Sequence, residues 1–183
     1  MKITSKTTKF IDMDTLELLK ERCSVRAFLD RPIEQEKLDN ILEAGRLAPS
    51  ACNKQPWTFL VIQSEEAKAK IRECYPTPWF QTAPLYIVLI GNHQTCWSRP
   101  SGDSVDIDTS IAATQMILQA HAEGLGSTWV CAFDQDKCHQ LFNLPKEEEA
   151  VTVLAIGYPD LSKHKTPQKL RKELNEIVRY DSL

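Results

Sequence analysis

The sequence predicts a mixed α/β or α+β domain, and three observations carry that expectation. Segments with helical spacing and segments with strand character alternate along the whole chain. The strand-like runs at 57–62 and 83–90 are apolar, and the second is apolar enough to lie centrally in a sheet. At 183 residues the chain fits one domain, 1–183, and is long enough to bury a real core.

Taken in order, Asp14-x-x-Glu17 opens a first helix carrying Leu16, Leu18 and Leu19. The aspartate is expected to cap free N–H groups while the glutamate reaches back. This helix runs into Arg22, and Arg26-Ala27-Phe28 then reads as a short extended piece closed by the turn Asp30-Arg31-Pro32. A second helix starts near Glu34, with Leu38, Ile41, Leu42, Gly45 and Leu47 spaced to put one face inward. Pro49 ends it, lacking an N–H and restricting Ala48 before it. Strand 57–62 follows, then a helix over 65–74 capped by Ser64, then strand 83–90. Residues 91–104 read as loop, holding Trp97 and the turn Arg99-Pro100-Ser101-Gly102-Asp103. The helix predicted over 105–123 is apolar around most of its circumference, so it is buried in a core or across a subunit interface. Gly124 stands where a left-handed cap belongs. A strand over 127–133, a short helix capped by Asp134 and a strand over 151–156 complete the core elements. The tail, 163–183, is basic and then amphipathic.

Composition narrows the function. Apolar residues make up 42% and charged residues 26%, and the net charge is only -3, which argues against a general nucleic-acid or membrane-surface binder. No run approaches the ~18 apolar residues of a membrane span. Residues 1–9 are polar and basic, without the apolar stretch of a secretory signal, so a cytoplasmic location is expected. Six cysteines are scattered without paired spacing, and His93-x-x-Cys96 and Cys138-His139 do not form two well-spaced metal-ligand pairs. Neither disulfides nor a metal centre are expected. GxGxxG, Walker, GxSxG and HExxH motifs are all absent. No catalytic side chain stands out, which fits chemistry borrowed from a cofactor that the protein positions.

Two segments stand apart. Arg22-Cys23-Ser24-Val25-Arg26 sets two arginines around a serine, a grouping able to grip a phosphate through charge, fork geometry and a hydroxyl donor. Ala48-Pro49-Ser50-Ala51-Cys52-Asn53-Lys54-Gln55-Pro56-Trp57 is a helix exit crowded with hydrogen-bonding groups. Taken singly, each feature has an ordinary structural role as well. Such arginines usually pair with carboxylates or sit solvated, Asn53 and Gln55 satisfy a turn, Trp129 fills a core, and Lys169 and Arg171 decorate an amphipathic tail.

Their ordered combination resembles the nitroreductase family of flavin-binding oxidoreductases. The family pattern R-x-S-x-R is met at 22–26 and APSxxNxQPW at 48–57. A central helix leads into Gly124-Leu125-Gly126 and then Trp129-Val130-Cys131-Ala132-Phe133-Asp134. A strand ends in Gly157-Tyr158-Pro159, and a basic pair stands in Lys169-Leu170-Arg171-Lys172. The resemblance covers roughly residues 16–178. It implies a nitroreductase-like three-layer α/β/α fold with a central mixed sheet and an intertwined homodimer. It also implies tightly bound FMN at the subunit interface and NAD(P)H as co-substrate. Hydride would pass through flavin N5 to an electron-poor small-molecule acceptor, nitroaromatic or quinone-like, in ping-pong fashion.

By the same carry-over, Arg22, Lys169 and Arg171, with Ser24 as donor and Cys23 between them, take the phosphate. Arg26 lies near the N1/O2 edge. Pro49, Ser50, Ala51, Asn53 and Gln55 come from the second subunit. Trp129, Val130 and Cys131 lie along the ring face and the N5 edge. Two other outcomes fit the same motifs: a flavin-binding dimeric protein without substantial turnover, and a specialised flavin reaction such as reductive dehalogenation. The chain departs from the pattern at Glu173, where the family often has proline. It is also too short for the inserted helical lobe of longer members; residues 75–81 or the loop around Trp97 are candidates to replace part of that wall.

Overall fold

The computed structural model describes residues 14–182, so the polar stretch at 1–9 lies outside the described residues. Helix α1 spans Thr15–Glu21, α2 Gln35–Arg46, α3 Glu65–Cys74, α4 Val105–Ala122, α5 Gln135–Phe142 and α6 Leu174–Ile177. Strand β1 spans Trp57–Ile62, β2 Leu85–Asn92, β3 Ser98–Arg99, β4 Gly102–Asp103, β5 Gly126–Val130 and β6 Glu148–Gly157. The main sheet has the order β1-β2-β6-β5, and every pairing between these strands is antiparallel. The expected mixed character is therefore confined, among the described residues, to one parallel bridge, Ser24↔Ser127, on the outer edge of β5.

Alternation along the central strand makes the layers. Tyr86, Val88 and Ile90 enter a core shared with Ile71 of α3 and Cys138 of α5. Leu85, Ile87 and Leu89 face Leu38 and Ile41 of α2 and Ala112, Ala113 and Met116 of α4. Because side chains alternate with period two, a strand apolar at every position needs helices on both faces, and it has them.

Several boundaries differ from expectation for local reasons. Asp14 offers α1 its carbonyl, to Leu18 N–H at 3.0 Å, and its side chain caps nothing; Glu17 makes no reciprocal bond. Strand β2 starts after Pro84, which has no N–H to give a ladder. Strand β5 stops at Val130, where its register with β6 ends, and leaves Cys131 outside the sheet. The segment read as loop contains the small β3–β4 hairpin. Ser64 and Asp134 do cap α3 and α5, accepting from Ala67 and Lys137 N–H. Gly124 takes the left-handed cap at φ 76. All six cysteines are free thiols. No helix of the described residues is long and apolar enough to cross a membrane, and they contain no group of three or more His, Cys, Asp or Glu side chains suited to a metal ion.

The hairpin is held by His93. Its Nδ1 lies 2.8 Å from Asp103 Oδ2 and its Nε2 3.0 Å from Glu149 Oε2. Two carboxylates are acceptors only, so both contacts are satisfied together by the doubly protonated ring. The bond to Asp103, and after it Glu149, raises the His93 pKa, and His93 lowers that of Asp103. A group that keeps its proton to higher pH when folded contributes fully below its unfolded value, about 6.5, and its contribution fades as pH rises through the folded one. Asp103 contributes above its unfolded value, about 3.9, and that is lost as pH falls through its depressed folded value. Thermal melts across about pH 5 to 9 should therefore fall on the alkaline side in the wild type and flatten in His93→Gln. An unchanged slope in the variant would assign the effect elsewhere.

Candidate functional site

Where α1 ends, the chain turns out into the 22–26 segment and lies along β5. Val25 donates its N–H to Ser127 O at 3.0 Å, and Thr128 Oγ1 donates to Val25 O. Gly126 permits the approach, because a Cβ there would sit 2.6 Å from Val25 Cγ2. A single parallel bridge, Ser24↔Ser127, joins the segment to the edge of β5. The Arg26 guanidinium lies over the Trp79 ring at 5.9 Å from its centroid.

Lys169 closes this corner from the tail. Its Nζ donates to the carbonyls of Leu19, Lys20 and Arg22, the last two at 3.1 and 2.7 Å, and so caps the C-terminal end of α1. Arg22, Arg26, Lys169 and Arg171 make no ion pair among the described residues. Burial, and after it the charges of Arg22 and Arg171, push the Lys169 ammonium below its ordinary pKa. Cations that depress one another without a carboxylate between them favour an incoming anion. Cys23 Sγ lies 3.8 Å from His164 Nε2. A cavity of about 190 Å³ opens here between Ser24, Arg26, Lys163, His164, Lys165 and Pro167. Ser127 Oγ, on the adjoining strand, is buried and has no hydrogen-bond partner among the described residues.

Of the three residues expected after β5 begins, Trp129 is half-buried and its Nε1 donates to Cys131 Sγ at 3.0 Å. Cys131 is exposed. Val130, by strand alternation, buries its side chain in the α3/α5 core, so only its main chain is left for a ligand.

The 49–55 segment lies elsewhere. Ala51 donates its N–H to Asp108 Oδ1 at 2.9 Å, and Gln55 donates its N–H to Ser50 Oγ at 2.9 Å. Cys52, Asn53 and Gln55 all hold positive φ, at 50°, 54° and 48°. For non-glycine residues such backbone costs roughly 1–3 kcal/mol each, so the surrounding contacts must hold it. Pro49 is exposed and Ser50 half-buried. Asp108 belongs to the first turns of α4, whereas His121, whose Nε2 lies 3.9 Å from Glu21, marks its other end beside Arg22 and Lys169. Thirteen helical residues at ~1.5 Å each separate these ends by about 20 Å. One chain thus brings together 22–26, 129–131, Lys169 and Arg171, and keeps 49–55 at the far end of α4.

Sequence reasoning missed Trp79 as the partner of Arg26, His164 as a neighbour of Cys23, and Asp108 as the anchor of Ala51. The last had a signal: two aspartates, Asp106 and Asp108, open a helix that is otherwise largely apolar. Asp108 is 1% exposed.

A nitroreductase family protein of Clostridium difficile 630 superposes with a TM-score of 0.85 over 93% of this chain and 100% of that one, at 38% identity. The sequence profile of the Nitroreductase family matches residues 19–75 and 72–158. This chain belongs to the nitroreductase family. Other relatives include the FMN reductase (NAD(P)H) of Bacillus subtilis strain 168, 28% identical over 91% of this chain and 74% of that protein. An iodotyrosine deiodinase of Thermotoga neapolitana is 28% identical over 91% of this chain and 97% of its own length. The family match takes in both arginine-bearing and asparagine-bearing motifs but ends at 158, short of Lys169 and Arg171. What joins those two to Arg22 is the Lys169 cap on α1.

Proposed function

We propose that the chain is one flavin-binding domain that acts as a homodimeric, FMN-dependent NAD(P)H oxidoreductase. The observation that carries this is the cation corner of Arg22, Lys169 and Arg171, which makes no ion pair with a carboxylate among the described residues. Arginine and lysine in this arrangement suit a phosphate dianion. Bound FMN supplies the chemistry, accepting hydride from a nicotinamide and passing it to an electron-poor acceptor. The main chain at Val130 and Cys131, at the free end of β5, would hold the ring, and the Arg26 cation would balance charge on the reduced flavin. Arg26 is itself steadied by Trp79.

A dimer supplies what one chain keeps 20 Å away, by the ~1.5 Å helical rise. The outward face of α4 is open: Ile107 is 53% exposed, and Ile107, Ser110, Ile111, Thr114 and Gln115 line a groove of about 680 Å³. The midpoint between Asp108 and His121 falls between Thr114 and Gln115. Antiparallel pairing of two such helices about that point sets each 49–55 segment beside the partner's cation corner. It also sets Ile111 opposite Leu118. The tail agrees with intertwining, because α6 buries no residue and Leu170, Leu174 and Ile177 stay exposed.

The visible spectrum of the freshly purified protein tests the proposal. Visible flavin absorption that bleaches on anaerobic NADPH is expected. A colourless protein that takes up no added FMN would refute it, and a flavin that NADPH and NADH leave oxidised would mean binding without turnover. The deiodinase relative favours one second reading, reductive dehalogenation. Iodide released from an iodotyrosine by the reduced protein would select it over nitroreduction.

A further inference from the structure

We propose that Asp108 is a positioning residue for the flavin site, acting through the 51–55 segment that it anchors. The proposal rests on the flavin reading above. Asp108 contacts two separate loops from inside the protein. Its Oδ1 accepts from Ala51 N–H at 2.9 Å and its Oδ2 from Ser104 Oγ at 2.8 Å. Ser104 in turn donates its N–H to Trp97 O at 2.9 Å. A continuous set of hydrogen bonds thus runs from the β3–β4 hairpin, through the first turns of α4, to the start of the left-handed segment.

Beyond Ala51 the segment bonds only to itself until Pro56, whose carbonyl accepts from Asn92 N–H at 2.8 Å. Ser50 Oγ accepts from Gln55 N–H, and Gln55 Nε2 donates to Asn53 O at 3.1 Å, both within the segment itself. Cys52, Lys54 and Gln55 are exposed. Three residues in an unfavourable backbone region persist only where something fixes their ends. The Ala51–Asp108 bond is the fixed point that ties this segment to a packed helix. The same turn of α4 presents Ile107 outward. A residue that packs the segment from inside, one position from the proposed dimer face, couples subunit contact to flavin retention.

The test compares Asp108→Ala and Asp108→Asn in the full-length protein. Asparagine keeps both bonds: its oxygen accepts from Ala51, and its amide donates to Ser104 Oγ, which accepts as readily as it donates. D108A should still be a dimer yet bind FMN about tenfold or more weakly, as expected when a part-buried backbone donor loses its partner. D108N should restore FMN affinity and its release rate. Trypsin supplies a readout independent of flavin, since Lys54 lies within the segment and is exposed. Cleavage after Lys54 should quicken in D108A and not in D108N.

A role confined to general stability would lower the melting temperature while leaving FMN release and Lys54 cleavage, both measured well below the melt, unchanged. That result would overturn the proposal, as would D108N behaving like D108A. If wild-type protein takes up no FMN but D108A still exposes Lys54, the anchor stands and the flavin reading falls. If D108A yields no soluble dimer, Cys52→Gly is added to it, because glycine adopts positive φ without strain. The double variant should recover solubility and FMN uptake; failure to do so would refute the anchoring role.

Discussion

Ile107→Asp is expected to yield a folded monomer that retains no FMN. In the single chain Ile107 is 53% exposed, so the substitution removes little intramolecular packing. In the proposed dimer the exposed half of the side chain is covered by the partner, and losing that burial forfeits about 1–1.5 kcal/mol per subunit. An aspartate there must also leave water on entering the interface, a further desolvation cost of roughly several kcal/mol. Both penalties count twice across a two-fold interface, enough to dissociate it at ordinary protein concentrations. Sedimentation velocity and the flavin absorbance per chain measure the two consequences together. A dimer with full flavin would place the interface elsewhere. A monomer with full flavin would refute the shared site.

The second large effect concerns Arg22→Ala. Loss of one charge-assisted bond to the cofactor phosphate is expected to weaken FMN binding by roughly 10- to 100-fold, equivalent to about 1.5–3 kcal/mol. The flavin-free protein should respond in the opposite sense. Arg22 and Arg171 both push the Lys169 ammonium down, and removing one of them relieves that repulsion. The apo melting temperature is therefore expected to hold or rise slightly, while the holo melting temperature falls. Fluorescence titration with FMN and paired melts read this out. An apo protein that loses stability and keeps its FMN affinity would make Arg22 an ordinary structural residue.

Much of the fold was legible because it depends on local spacing. The capping residues Ser64 and Asp134 and the doubly apolar β2 run act over a few residues and appear where the pattern puts them, whereas α2 ends at Arg46, ahead of Pro49, and leaves Leu47 exposed. The features that local spacing leaves open depend on distant partners. Val130 reads as part of a site segment, but its side-chain direction is set by the register of β5 against β6. The hairpin inside 91–104 relies on His93 reaching Glu149, a contact across 56 positions. Asp14 had the right residue type for a cap, yet only its carbonyl bonds into the helix. The site followed the same division. The two motifs were visible as residue types, whereas Asp108, Trp79 and His164 join it only through tertiary contacts.

The length of α4 has a genetic consequence. If each flavin lies between the 22–26 corner of one subunit and the 49–55 segment of the other, a chain damaged only in its corner still lends a sound segment. A chain damaged only in its segment still lends a sound corner. Two alleles that are each inert alone then complement one another in a mixed dimer: one of its two sites inherits both lesions, and the other inherits none.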